Sequence, residues 1–136
     1  VQLRAGLEQA ESETAHCQLM LLNICFNYGG RWDIAQAAAG LAARGEAITP
    51  ESLDRAMALS HVRDPDLLIR TGGEMRLSNF LLWQAAYSEL VFSDKLWPDF
   101  DEAALDSAIA AYHARERRFG LISEQLASES PVLARA

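Results

Sequence analysis

Some segments of the chain repeat apolar residues at helical spacing, and others are short, nearly unbroken apolar runs. This pattern predicts alternating helices and strands. Residues 2–15 repeat apolar side chains at helical spacing from Leu3 to Ala10, with glutamates on the opposite face. Residues Leu19–Phe26 form an apolar run that only Asn23 interrupts. A run of this kind is typical of a strand buried on both faces of a parallel sheet.

The same reading predicts the elements that follow. Alanine-rich and capped segments indicate helices, and short apolar runs indicate strands. The predicted helices span Trp32–Ala43, Pro50–Ser60 and Leu77–Ala86, with a last one that begins at Asp99 in a capping box with Glu102, and the predicted strands are Leu67–Arg70 and Glu89–Phe92. Strands that alternate with helices imply right-handed βαβ units. We therefore predict an α/β fold, a mostly parallel sheet with helices on both faces.

Composition narrows the class of protein. The chain has 136 residues, half of them apolar, which suits one compact unit; we assign residues 1–120 to one domain and 121–136 to a loose tail. The formal net charge of −7 makes nucleic acid a poor partner. The apolar runs are too short to span a bilayer. Because the first residue, Val1, already lies in a predicted helix, we expect a fragment of a longer protein.

The two cysteines, Cys17 and Cys25, are not in a CxxC pair. We expect both to be buried free thiols in a reducing compartment, because neither metal nor disulfide spacing is present.

The stretch Asp64–Phe100 carries the candidate chemistry. Its apolar run ends on Arg70, a pair of glycines follows, and Arg76 and Ser78 come before the next apolar segment. A strand, a glycine turn and a helix start would present free backbone N–H groups to an anion. Guanidinium groups pair bidentately with phosphate oxygens. The pattern therefore predicts a diphosphate site, although spacing alone fits a surface loop with a capping serine equally well.

Two blocks together resemble a known family. LLNICFNYGGRWDI (Leu21–Ile34) and the stretch Asp64–Phe100 are similar to the carboxyl-terminal half of the cis-prenyltransferases of the bacterial undecaprenyl diphosphate synthase type. The resemblance covers roughly residues 19–34 and 64–120. The family's amino-terminal phosphate loop, an Asp-Gly-Asn-Gly-Arg-Trp run with an essential aspartate, is absent from these 136 residues.

The resemblance implies roles for particular residues. The diphosphate of isopentenyl diphosphate would be held by Arg70, Arg76, Leu77 and Ser78. Glu89 would be a ligand of Mg²⁺, a cofactor that usually takes one or two carboxylates beside phosphates and water. We expect the Glu89 side chain to point toward the sheet edge where Arg70 ends. The alternative for Glu89 is a charge at the start of a strand. No catalytic residue is assigned within this chain.

The resemblance also implies a homodimer. Arg118 and Gly120 match the family's Arg-x-Gly motif, which reaches the active site across the dimer interface. The alternative for this motif is a helix end stopped by glycine. For Gly29, Gly30 and Arg31, a tight turn before a helix and a role near substrate both stay open.

The implied activity is the cis-condensation of isopentenyl diphosphate onto an allylic diphosphate, normally farnesyl diphosphate. In bacteria the product is undecaprenyl diphosphate, the precursor of the lipid carrier for cell-wall sugars. We expect a cytoplasmic enzyme that contacts the membrane surface transiently through its lipid product, and a chain that is inactive alone. The alternative is a non-catalytic partner subunit of a two-chain cis-prenyltransferase. Such partners typically lose the substrate arginines.

Overall fold

The computed structural model describes residues 2–115, in which three helices are followed by two strands and a fourth helix, so the predicted alternation of helices and strands is not observed. The helices are α1 (Gln2–Thr14), α2 (Gly30–Ala43), α3 (Pro50–Ala56) and α4 (Glu102–His113), the strands are β1 (Leu67–Arg70) and β2 (Glu89–Phe92), and a 3-10 turn spans Trp97–Asp99. The predicted tail and the Arg118 and Gly120 motif lie outside the described residues.

The two strands pair in parallel. Leu67 lies opposite Glu89, and Arg70 lies opposite Phe92; turns and bends, not a helix, connect the two strands over residues 71–88. Helix α4 packs against β2. The predicted class, an α/β fold with a parallel sheet, is confirmed, as are the bounds of both strands.

The hydrophobic core lies between α2 and α3. Ala37, Leu41, Leu53 and Met57 are buried there, and Trp83 packs against them from the segment between the strands. The start of α3 is confirmed: the Thr49 hydroxyl accepts from the backbone of Ser52, and the Ser52 hydroxyl accepts in return from the Thr49 N–H. Such a reciprocal cap satisfies two N–H groups that a helix start leaves without partners.

The predicted strand at Leu19–Phe26 is wrong. This segment has no regular secondary structure, and its apolar side chains are exposed, from Leu19, which is fully accessible, to Phe26 at 59%. A strand buried on both faces needs neighbouring strands and covering layers, and within residues 2–115 the sheet consists of β1 and β2 alone. Cys17 is therefore exposed and Cys25 half-buried, although both thiols are free as predicted.

The predicted helix at Leu77–Ala86 is also wrong. The backbone is left-handed at Ser78, Asn79 and Leu81, with φ values of 47°, 66° and 46°. A right-handed helix cannot pass through such residues, so the segment forms consecutive turns instead. The apolar periodicity of this segment is real, but these backbone conformations redirect the chain.

Several helix ends differ from the prediction: α1 ends at Thr14, one residue early, and α2 begins at Gly30, two residues before Trp32. Helix α3 stops at Ala56, not near Ser60, and turns follow it. Helix α4 is capped by Asp101, whose carboxylate accepts from the Ala104 N–H at 2.9 Å, and not by Asp99, which lies in the 3-10 turn. None of the helices between residues 2 and 115 combines the length and apolar content that a bilayer-crossing helix needs.

Candidate functional site

The two candidate arginines meet in one loop, residues 70–78, called here the arginine loop. Arg70 ends β1, and its Nη1 donates to the backbone carbonyl of Arg76 at 2.5 Å. The Arg76 guanidinium forms an ion pair with Glu74. Both contacts are exposed. The strand end and the loop thus place the Arg70 side chain against the backbone of Arg76, while the Glu74 carboxylate binds the Arg76 side chain.

The glycine turn inside this loop differs from the predicted anion site. Gly72 and Gly73 have φ values of 88° and 74°, which residues other than glycine rarely adopt. Their N–H groups donate to the carbonyls of Lys95 and Ser93, at 2.8 and 3.0 Å. No helix begins at Leu77, so the turn offers neither free amides nor a helix dipole. Anion binding in the loop falls to the guanidinium groups, the Ser78 hydroxyl and the backbone of Leu77.

A second turn, at Gly29–Arg31, is bound to the end of the arginine loop. The carbonyl of Asn79 accepts from the Gly30 N–H at 2.7 Å, and its side-chain Oδ1 accepts from the Arg31 N–H at 2.9 Å. Asn79 was not singled out by the sequence. The available signal was an asparagine next to a serine near a glycine turn, because asparagine tolerates the left-handed backbone.

A buried carboxylate, that of Asp33, joins the start of α2 to other parts of the chain by hydrogen bonds. Asp33, on the first turn of α2, is 3% exposed and accepts from the Tyr28 hydroxyl at 2.9 Å and the Ala58 N–H at 3.0 Å. The side-chain amide of Gln84 also donates to Asp33, at 3.4 Å. Burial, and then the hydrogen bond to Asp33, raise the pKa of Tyr28 to about 12. These bonds connect the start of α2 with the segments that follow α3 and the arginine loop.

The candidate metal ligand lies away from the arginine loop. Glu89 begins β2, opposite Leu67, whereas Arg70 ends β1 opposite Phe92. In parallel strands these positions are at opposite ends, so the expectation that Glu89 points to the edge where Arg70 ends is wrong. The Glu89 carboxylate instead forms an ion pair with Arg115 at 2.9 Å.

The described residues supply few groups for a metal. Within residues 2–115, no cluster of three histidine, cysteine, aspartate or glutamate side chains is placed to hold an ion. Glu89 has the oxygen donor that Mg²⁺ prefers, and a single protein carboxylate is sufficient where phosphates and water complete the coordination. Because Glu89 pairs with Arg115, Mg²⁺ would have to displace the Arg115 guanidinium or share the Glu89 carboxylate with it.

Two cavities of the described residues lie apart from the arginine loop. One of about 220 Å³ lies beside α3 and is lined by Asp54, Asp64, Trp83 and neighbouring residues. Burial, and then the nearby Asp54, raise the pKa of Asp64 there. A second cavity of about 270 Å³ lies between β2 and α4. Arg70, Arg76 and Ser78 line neither cavity, so the candidate diphosphate site is an open surface loop.

The fold that contains these parallel strands is that of a cis-prenyltransferase. The family model described as "Putative undecaprenyl diphosphate synthase" matches residues 1–120, and this chain belongs to that family. Among its relatives, the isoprenyl transferase of Neisseria gonorrhoeae is 56% identical over 126 residues, which cover 92% of this chain and 51% of that protein. The ditrans,polycis-undecaprenyl-diphosphate synthase, farnesyl-diphosphate specific, of Shewanella oneidensis is 49% identical over 131 residues, 91% of this chain and 48% of that protein.

Solved structures agree with this assignment. A probable undecaprenyl diphosphate synthase from Campylobacter jejuni superposes with a TM-score of 0.77 at 34% identity, over 88% of this chain and 56% of that one. Lavandulyl diphosphate synthase from Lavandula x intermedia, in complex with dimethylallyl diphosphate, gives a TM-score of 0.81 at 38% identity, over 87% and 54%. The chain spans about half the length of the curated relatives it matches.

Proposed function

We propose that the protein carrying this chain condenses isopentenyl diphosphate, in cis, onto an allylic diphosphate, and that the allylic substrate is farnesyl diphosphate. The product would be undecaprenyl diphosphate, the precursor of the cell-wall lipid carrier. Membership of the family supports prenyl transfer. The name of the Shewanella oneidensis relative supports the farnesyl substrate and the undecaprenyl product.

The observation that carries the proposal is the meeting of Arg70 and Arg76 in one exposed loop at the end of a parallel strand. Ligands of parallel α/β sheets bind outside the carboxyl ends of the strands. Two guanidinium groups suit a diphosphate, and Ser78 adds a hydroxyl donor two residues beyond Arg76. We assign these three side chains, with the backbone of Leu77, to the diphosphate of isopentenyl diphosphate.

The contribution of these residues to the reaction is positioning. The allylic C–O bond breaks, the alkene of isopentenyl diphosphate forms the new C–C bond, and loss of a proton gives the cis double bond. A diphosphate fixed by Arg70 and Arg76 holds that alkene near the allylic carbon, which removes much of the entropic cost of a bimolecular step. Mg²⁺ would supply positive charge for a diphosphate, and Glu89, at the strand end opposite the arginine loop, is the residue that we assign to hold it.

The proposal includes a homodimer, in which Arg118 and Gly120 of one subunit reach the site of the other. It also includes a cytoplasmic location, which the free thiols of Cys17 and Cys25 support, and transient contact of the lipid product with a membrane surface. The retained arginines favour a catalytic chain over the alternative, a non-catalytic partner subunit.

Incorporation of radiolabelled isopentenyl diphosphate by the natural protein, with farnesyl diphosphate and Mg²⁺, tests the proposal. We expect long-chain polyprenyl products and saturable binding of isopentenyl diphosphate. Binding without turnover until a second, different chain is added would instead support the partner-subunit alternative. If the protein forms no product and inorganic pyrophosphate competes equally well with isopentenyl diphosphate for binding, the protein is a general phosphate-binding module.

A further inference from the structure

Helix α2 begins without a cap of its own. The residue before it, Gly29, has no side chain, and the first N–H groups of a helix need acceptors from elsewhere. Asn79 supplies two of them, its carbonyl for Gly30 and its Oδ1 for Arg31. The cap of α2 therefore comes from a residue at the end of the arginine loop.

The absence of a side chain at Gly29 leaves room for the Asn79 carboxamide. A Cβ atom at position 29 would lie 2.8 Å from Nδ2 of Asn79, too close for the carboxamide to stay where it is. The backbone of Gly29 has φ −150° and ψ 123°, an extended conformation that any residue adopts. Glycine at this position therefore leaves space for the Asn79 carboxamide, and backbone freedom is not its role.

The cap of α2 also affects the arginine loop, because Asn79 lies at the end of that loop. Asn79 directly follows Ser78, and both residues have left-handed backbones, which cost energy unless the surroundings hold them. Fixing Asn79 on α2 fixes the end of the backbone segment from which the Ser78 side chain extends. We propose that Asn79 is a positioning residue for isopentenyl diphosphate, which acts by anchoring Ser78 to the start of α2; this inference rests on the proposed function.

The sharpest variant is Asn79→Gly in the natural protein. Glycine keeps the left-handed backbone and the carbonyl bond to Gly30, so that only the carboxamide cap is lost. We expect the KM for isopentenyl diphosphate to rise about tenfold, which corresponds to about 1.4 kcal/mol. The KM for farnesyl diphosphate should stay within about twofold, because Ser78 is assigned to the other substrate.

Thr49→Gly is the matched control. Thr49 caps α3, and its hydroxyl accepts from the Ser52 N–H at 3.2 Å, so this variant also removes one side-chain cap from a helix start. It should lower the melting temperature in the same way and leave both KM values unchanged. If Asn79→Gly raises both KM values equally, or raises neither, the positioning role is refuted.

Gly29→Ala tests the same contact from the other side, with Asn79 still present. Its methyl group should displace the carboxamide and give the same selective rise in KM for isopentenyl diphosphate. Because both changes break one contact, the double variant Gly29→Ala/Asn79→Gly should be no worse than the more damaging single variant. Additive effects would overturn the proposal. If Asn79→Gly yields no folded protein, the two KM values of Gly29→Ala decide alone.

Calorimetry on the unsubstituted protein separates this inference from the function on which it rests. If that protein does not bind isopentenyl diphosphate, the proposed function fails. If it binds isopentenyl diphosphate but the Asn79→Gly and Gly29→Ala variants keep its KM, only the role of Asn79 fails.

Discussion

The carboxylate of Glu89 lies 2.9 Å from Nη1 of Arg115, and the same nitrogen donates to the Leu90 carbonyl at 2.9 Å. These contacts tie the end of α4 to the start of β2. The Glu89 side chain is 24% exposed and that of Arg115 44%, so solvent and ions can still reach the pair. A metal that used Glu89 would compete with this arginine.

The competition predicts opposite effects of two substitutions in the natural protein. Glu89→Gln keeps the shape of the side chain but removes its charge, so we expect a higher magnesium half-saturation concentration and a lower kcat. Arg115→Ala frees the carboxylate, so we expect a lower half-saturation concentration. Magnesium titrations of initial rate measure both. Unchanged half-saturation in both variants would show that Glu89 is a structural partner of Arg115 and not a ligand.

The assignment of the arginine loop to isopentenyl diphosphate predicts that removing either arginine lowers activity with this substrate. A hydrogen bond to a charged group contributes about 1.5–3 kcal/mol, so Arg70→Ala or Arg76→Ala should lower kcat/KM for isopentenyl diphosphate roughly 10- to 150-fold. Arg44→Ala is the control, because Arg44 pairs with Glu46 at the exposed end of α2. If steady-state kinetics give all three variants the same kcat/KM for isopentenyl diphosphate as the unsubstituted protein, the arginine loop does not bind this substrate.

The hydrogen bond between Tyr28 and Asp33 predicts an alkaline loss of stability. The pKa of Tyr28 is raised from 10.0 to about 12 in the folded protein, because burial and the Asp33 carboxylate favour the neutral phenol. This contribution is complete below pH 10 and is lost as the pH rises from 10 to 12. Urea unfolding across this range should show a steeper decline for the natural protein than for Tyr28→Phe. Equal slopes would contradict the assignment.

Residues 1–136 on their own should show no prenyl transfer. The chain lacks the Asp-Gly-Asn-Gly-Arg-Trp run of the family, and Leu19–Phe26 leaves a run of apolar side chains exposed. Exposed apolar surface of this kind favours association. A radiolabel assay should give no product, and light scattering should give a mass above that of a monomer. Turnover by these residues alone would refute the prediction.

Local patterns predicted the parts of the molecule that local forces determine. The bounds of β1 and β2 and the cap at Thr49 followed from short runs and from a capping residue with proline. The two arginines were placed in one loop by their spacing around a glycine turn. Each of these features depends on residues that are near one another in the sequence.

The failures depend on contacts between distant residues. The apolar run Leu19–Phe26 has the composition of a buried strand, but burial requires neighbours that its own sequence does not encode. The segment after Arg76 has helical periodicity, yet Asn79 adopts a left-handed backbone and binds Arg31 far away in the chain. Glu89 was assigned to the wrong end of the sheet because parallel register is set by strand pairing.

The parallel pairing of β1 and β2 has a consequence for synthesis on the ribosome. A parallel partner cannot be supplied by a tight hairpin, so β1 must leave the exit tunnel and wait until the whole connection and β2 have been translated. At roughly 5–20 residues per second this delay is on the order of one to a few seconds. During it, Leu67–Ile69 lacks β2 as its partner and presents apolar side chains that a nascent-chain chaperone would cover.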